Sequence, residues 1–334
     1  MEGSIQTMTF AESVRKRPAM YFGNNGIIGL FTGLILDCIE LCQTDQIFFS
    51  VSILEVNKFS FAMASEKDIT PFLQCLNPAA TVDKNFFLKA LVSVSSNFEI
   101  IHNSISQIHG KAETLLIFEF DQAVFKDTKV DYQELSEEFL RISLLNRSTE
   151  ILVKDARQKY FSQNYYHFPQ GIFYLYDRIK MTALGKPVFE IAFDYKWKEN
   201  KYQIAIGYRT DWYPSASIVS FSNDIHTIGG GTLVAGVLDG LILACKKYVT
   251  DNNLTTFKIK RKKFVNGLIM VCAVRGENFK YAGSFKETLI DKDVKAQAKK
   301  IVSKQVYEYI KNNKESADKF LWRFDEKQLT SGMY

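Results

Sequence analysis

Histidine and cysteine are scarce in this sequence, and neither is grouped. Four histidines lie scattered along 334 residues, and the five cysteines (Cys38, Cys42, Cys75, Cys245 and Cys272) form no CxxC pair. No zinc cluster of ordinary ligand spacing is therefore expected. Cys38 and Cys42 stand one helical turn apart, but an unpaired cysteine behaves as a small core hydrophobe, so burial is expected for them. The same scarcity leaves no Ser-His-Asp or Cys-His arrangement to argue for, and no paired carboxylates stand out. Long apolar runs are missing too. The longest candidate, Leu233 to Cys245, is shorter than a membrane span and is interrupted by Asp239. Met1 to Ser4 carry neither a basic head nor an apolar stretch, so no secretory signal is expected and the chain reads as cytoplasmic.

What is present suits a soluble globular protein: 46% hydrophobic and 24% charged residues, over a length that suggests two domains. Charge is unevenly placed. Residues 1–168 hold 15 Lys/Arg against 20 Asp/Glu, whereas residues 169–334 hold 27 against 17. A basic second half points to a polyanionic partner such as duplex DNA, and Lys258, Lys260, Arg261, Lys262 and Lys263 concentrate that charge. A lysine-rich edge strand, solvated and protective, is the alternative for that segment. Both readings stay open.

Apolar spacing predicts a helix over Gly29 to Gln43, strands over Ile47 to Ile53, Lys58 to Ala62 and Thr114 to Phe120, and a helix opened by Asp131 and Glu134 that runs to about Asn146. Helices and strands mixed in this way imply an α+β sandwich, one sheet covered on one face by helices. A change of texture near Phe168-Pro169 suggests domains at 1–168 and 169–334. Beyond it, strict alternation over Val188 to Trp197 and Tyr202 to Tyr208 predicts a hairpin. A helix from Thr232 to about Tyr248, a strand from Leu268 to Val274 and a long helix from Val294 to Ile310 follow.

Four ordered segments resemble one family. Ser220 to Gly236, with Gly229-Gly230-Gly231-Thr232 at its centre, resembles the strand, glycine loop and helix of the transducer domain in gyrase B and its relatives. Phe10 to Gly23 looks like the opening of gyrase B and topoisomerase IV B. Gln133 to Asn146 followed by Glu150 to Lys154 is similar to the closing helix and strand of the ATPase domain. Gly267 to Val271 and Phe279 to Leu289 resemble the segment that delivers the family's catalytic lysine. The resemblance implies a GHKL-type ATPase sandwich followed by a transducer domain, a ribosomal-protein-like α/β fold with a left-handed crossover. In that family the glycine loop shapes the turn rather than binding a ligand, and the same is expected here.

Carried over by position, the resemblance implies a degenerate nucleotide site. The general base of the family falls on Leu36, which cannot accept a proton, and its magnesium ligand on Glu40. Asp37 adjoins the base position but is turned about 100° around the helix. The adenine-reading aspartate falls on Met63, and the glycines after it on Ser65 and Lys67. The phosphate-wrapping lid falls between Phe72 and Leu91, a stretch without glycine in which Thr81, Val82, Asn85 and Phe87 stand near the family's glycine positions. Thr114 matches the adenine-site threonine and Lys286 the γ-phosphate lysine, with Ser284 in place of the glutamine before it. If ATP and magnesium were still held, Thr114, Glu40 and Lys286 would hold them.

The sequence reaches Tyr334 with no cleavage-supporting domain and no active-site tyrosine subunit, so this chain alone is not expected to cut or pass DNA. Three functions follow. The first is a hydrolytically impaired gyrase-B-like module that binds DNA or a topoisomerase-like protein, dimerised through Met1 to Phe10 by family analogy. The second is an ATP-dependent enzyme with Glu40 or Asp37 rewired around a metal. The third is a protein–protein scaffold without a DNA role.

Overall fold

The computed structural model describes residues 8–23, 26–42, 46–65, 73, 86–105, 112–182, 187–209, 215–254, 261–283 and 286–322. The chain divides into two compact units, Met1–Pro169 and Gln170–Tyr334.

The first unit holds α1 (Phe10–Lys16), α2 (Pro18–Phe22), α3 (Gly26–Cys42), β1 (Ile47–Glu55), β2 (Lys58–Ser65), α4 (Phe86–Val94), β3 (Ser95–Ile105), β4 (Ala112–Phe120), α5 (Tyr132–Leu145), β5 (Thr149–Asp155) and β6 (Ser162–His167). Its strands form one six-stranded sheet in the order β3-β4-β2-β1-β5-β6. The pairings are antiparallel except β1 with β5. Period-2 alternation explains the two faces of β1: Ile47, Phe49, Val51 and Ile53 enter the core while Ser50 and Ser52 are only half-buried. Against the core, α3 sets Leu30, Phe31, Leu34, Ile35, Cys38 and Cys42 at helical spacing. Phe31, Phe59 and Phe120 meet edge-on or tilted at 5.3 to 6.5 Å between ring centres. Helix starts follow local chemistry. Thr9 and Glu12 close a capping box on α1, and the Asp131 carboxylate accepts the Glu134 N–H at 3.0 Å to open α5.

The second unit holds α6 (Ile172–Met181), β7 (Phe189–Trp197), β8 (Asn200–Tyr208), β9 (Ser217–Ser222), β10 (Ile225–His226), α7 (Thr232–Asp251), a 3₁₀ turn (Arg261–Val265), β11 (Leu268–Arg275), β12 (Tyr281–Ala282), β13 (Thr288–Leu289), α8 (Lys292–Asn312) and α9 (Lys314–Trp322). Its main sheet runs β10-β9-β11-β8-β7. The β7–β8 hairpin is tighter than alternation predicts: Trp197 pairs with Asn200, leaving a two-residue turn in which Lys198 takes φ 53°. β9 and β11 are parallel, and α7 makes the crossover between them. Two glycines bring α7 onto α8. A Cβ at Gly236 would meet the Lys295 carbonyl at 2.6 Å, and one at Gly240 the Lys299 carbonyl at 2.6 Å. From α9, Phe320 stacks on Phe189 at 4.3 Å and closes the core.

The predicted helices and strands are present, most of them longer by a few residues. α1, α2, α4, β6, α6 and α9 add to them as short elements that hydrophobic periodicity resolves poorly, and β3 (Ser95–Ile105) adds an eleven-residue strand whose polar residues break the alternation. The edge strand offered as one reading of 258–263 does not form over its described part, because residues 261–265 wind into a 3₁₀ turn around the fully buried Phe264. Cys38, Cys42, Cys245 and Cys272 are all buried in the two cores, whereas Cys75 lies outside the described residues.

Candidate functional site

In the first unit, α3 sets Gly33, Asp37 and Glu40 on one face, since residues three and four apart are neighbours, with Leu36 about 100° round the helix from Asp37. α4 meets this face at Gly33 and Asp37. The Phe87 ring sits so close to Gly33 that a Cβ there would lie 2.2 Å from the ring. The backbone N–H of Phe87 donates to Asp37 Oδ2 at 2.8 Å. Phe87 N–H belongs to the first turn of α4, where backbone donors lack helical partners, so Asp37 caps α4 from another helix. Its carboxyl is pushed up to about 6, chiefly because burial penalises the charge. The Phe87 bond opposes that rise, and the nearby Glu40 adds to it. Leu36 is half-buried against the core and Glu40 is exposed.

Two other positions singled out in the sequence are brought together by the sheet. Met63 on β2 is the direct cross-strand partner of Thr114 on β4. Met63 is 1% exposed and Thr114 6%, so this pair is closed in by its own unit. Glu66, Lys67, Thr81, Val82 and Asn85 lie outside the described residues.

In the second unit the glycine loop is tied to β13. Gly229 N–H donates to the Glu287 carbonyl at 2.9 Å, Gly230 N–H to the Thr227 carbonyl at 2.8 Å, and Thr232 Oγ1 to the Leu289 carbonyl at 3.2 Å. Gly231 takes φ 98°, and a Cβ there would sit 2.1 Å from the Leu289 oxygen. The loop is therefore a structural clasp, since two of its N–H groups and its close backbone approach are engaged internally. Lys286, exposed, adopts the left-handed conformation at φ 58° on the turn that leads into β13, with its ammonium 5.5 Å from the centre of the Tyr281 ring. Of the basic segment, Lys258 and Lys260 lie outside the described residues. Arg261 forms an ion pair with Asp239, which also meets Lys295 at 3.2 Å. Lys263 is half-buried.

Sequence reasoning missed the contact between α3 and α4. A glycine in the middle of an otherwise apolar helix, with an aspartate one turn on, was the available signal. It also missed a cleft between α7 and α8 lined by Lys247, Lys299, Lys300 and Lys304.

A six-stranded α+β sandwich followed by a second unit built on a glycine-clasped crossover is an architecture with known relatives. Residues 173–330 match the family model for DNA gyrase B. The gyrase B protein of Clostridium acetobutylicum is 30% identical over 232 residues, covering 66% of this chain and 34% of that protein. The corresponding B protein of DNA topoisomerase 4 from Mycoplasma capricolum is 25% identical over 96% of this chain and 57% of its own length. The chain thus spans about a third to just over half the length of these relatives. Among solved structures, the 43K ATPase domain of Thermus thermophilus gyrase B superposes with a TM-score of 0.77 at 16% identity, covering 98% of both chains. The topoisomerase IV ATP-binding domain of Francisella tularensis gives 0.69 at 20% identity, covering 98% of this chain and all of that one. At these identities the structures establish the fold. The chain resembles the N-terminal ATPase and transducer region of gyrase B and topoisomerase IV B.

Proposed function

We propose that this module has lost ATP hydrolysis and acts as a cytoplasmic binding or regulatory protein associated with duplex DNA or a topoisomerase-like partner. On this reading the first unit is a degenerate ATPase domain and the second a transducer, and pairing of two copies through the N-terminal arm is part of the proposal by analogy. The carrying observation is that Phe87 of α4 occupies the face of α3 between the base position Leu36 and Asp37, and that neither Leu36 nor Phe87 offers a group for catalysis. Leu36 supplies no base, the Phe87 ring fills the space above Gly33, and the Asp37 carboxylate takes an N–H at the start of α4. An internal carboxylate at a helix start repels a second anion there. The buried Met63 offers the adenine amino group no acceptor. These residues do not suit a magnesium nucleotide. Calorimetric titration with ATP and magnesium, with ADP as control, tests this. No heat up to millimolar ligand is expected; saturable binding with phosphate release overturns it.

One observation favours a second reading, an ATP-dependent enzyme. A carboxyl poised at about 6 beside another carboxylate has the character of a general base. In that case Asp37→Asn abolishes phosphate release, whereas on the first reading there is none to abolish.

A further inference from the structure

Among the described residues of the second unit, a cluster of lysines stands apart from the 258–263 segment. α7 and α8 flank a cleft of about 530 Å³ lined by Lys247, Lys299, Lys300 and Lys304, with Leu243, Ala296 and Tyr307 as its apolar lining and Glu308 as the one carboxylate among the described lining residues. All four lysines are exposed. Among the described residues none of them is ion-paired. Two of them lie against rings: Lys247 Nζ is 4.2 Å from the centre of Tyr307, and Lys300 Nζ 5.8 Å from that of Trp197. Tyr307 is fixed in turn by its hydroxyl, which donates to Asp251 at 2.5 Å. Ammonium groups left unneutralised side by side repel one another, an arrangement that an anionic partner relieves.

We propose that this cleft binds the phosphate backbone of duplex DNA. Lys300, Lys304 and Lys311 fall on one stripe of α8, within about 40° of each other around the helix and about 16 Å from end to end. A duplex offers a charge for every ~1.7 Å of its axis, so a row of this length meets several phosphates without needing a fixed register. Lysines act as point charges, suited to phosphates rather than to bidentate base reading. An acidic amphipathic helix is the competing occupant, but it needs a run of apolar anchor sites, and this cleft offers only Leu243, Ala296 and Tyr307 among four lysines. The inference rests on the reading of the chain as a DNA-associated module, and it moves the contact from the 258–263 segment to the α7–α8 cleft.

Fluorescence anisotropy with a labelled mixed-sequence duplex, over a range of salt, tests it on the full chain. Four proteins are compared: wild type, the cleft variant Lys247→Ala/Lys300→Ala/Lys304→Ala, its Lys→Arg counterpart, and Arg261→Ala/Lys262→Ala/Lys263→Ala. The cleft variant should bind about tenfold or more weakly, with the slope of log K against log salt smaller by about 2–3, roughly one unit per lost phosphate contact. The arginine counterpart should retain binding, which excludes misfolding as the cause. If the cleft variant binds like wild type and the 261–263 variant does not, the cleft assignment is overturned while DNA association stands. If wild type binds no duplex but captures polyglutamate through the same lysines, the cleft takes an acidic protein and the proposal falls. If it binds neither, DNA association falls with it.

Discussion

Asp37 and Phe87, fifty residues apart in sequence, are joined by a 2.8 Å hydrogen bond from the Phe87 backbone N–H to the Asp37 carboxylate. The same phenylalanine rests its ring on Gly33, one turn before Asp37 on α3. One residue thus fixes α4 on α3 in two ways, through its backbone and through its ring, and each contact has a measurable consequence.

The first consequence is a pH dependence. Burial raises the Asp37 carboxyl from 3.8 to about 6. The folded state therefore holds the proton more tightly than the unfolded state does. The stability contributed by this protonation is complete below pH 3.8 and is lost as pH rises through about 6. At pH 7 the ionised side chain costs stability, and Asp37→Asn, which keeps an acceptor for Phe87, should stabilise the first unit by on the order of 1–2 kcal/mol. The gain should shrink as pH falls toward 4. Urea midpoints of both proteins at several pH values measure it, and a difference that does not vary with pH contradicts the assignment.

The ring contact sets a second test. Gly→Ala inside a helix ordinarily stabilises by about 1 kcal/mol. At Gly33 the added methyl would lie within 2.3 Å of three Phe87 ring atoms, so the sign should invert to a loss of about 1–3 kcal/mol. Phe87→Ala in the Gly33→Ala background should recover part of that loss. A double-mutant cycle reads the coupling, and additive effects would show that the two residues do not meet.

The clasp of the second unit carries the third prediction. Gly231→Ala combines a left-handed φ of 98° with a Cβ 2.1 Å from the Leu289 oxygen. Backbone cannot yield as a flexible side chain does, so a loss of about 2–4 kcal/mol is expected. Thermal unfolding of the variant measures it, and an unchanged transition would mean that the loop is not held on β13.

Strand alternation, helical spacing and the Asp131 cap were legible in the sequence because they are local properties. Ile47 to Ile53 and the β7–β8 hairpin show them plainly, and so did the four ordered segments that resemble gyrase B. By itself the sequence determined the fold class, the helix and strand starts set by caps and turns, and the identities at Leu36 and Met63. Tertiary structure alone decided what those identities face. Phe87 reaches Gly33 and Asp37 across fifty residues, Met63 meets Thr114 only through sheet register, and Lys247 joins Lys300 and Lys304 only because Gly236 and Gly240 bring α7 onto α8. Spacing along the chain encodes which face a side chain occupies. Which other face packs against it depends on the volume and shape left by every element together, and no local pattern carries that.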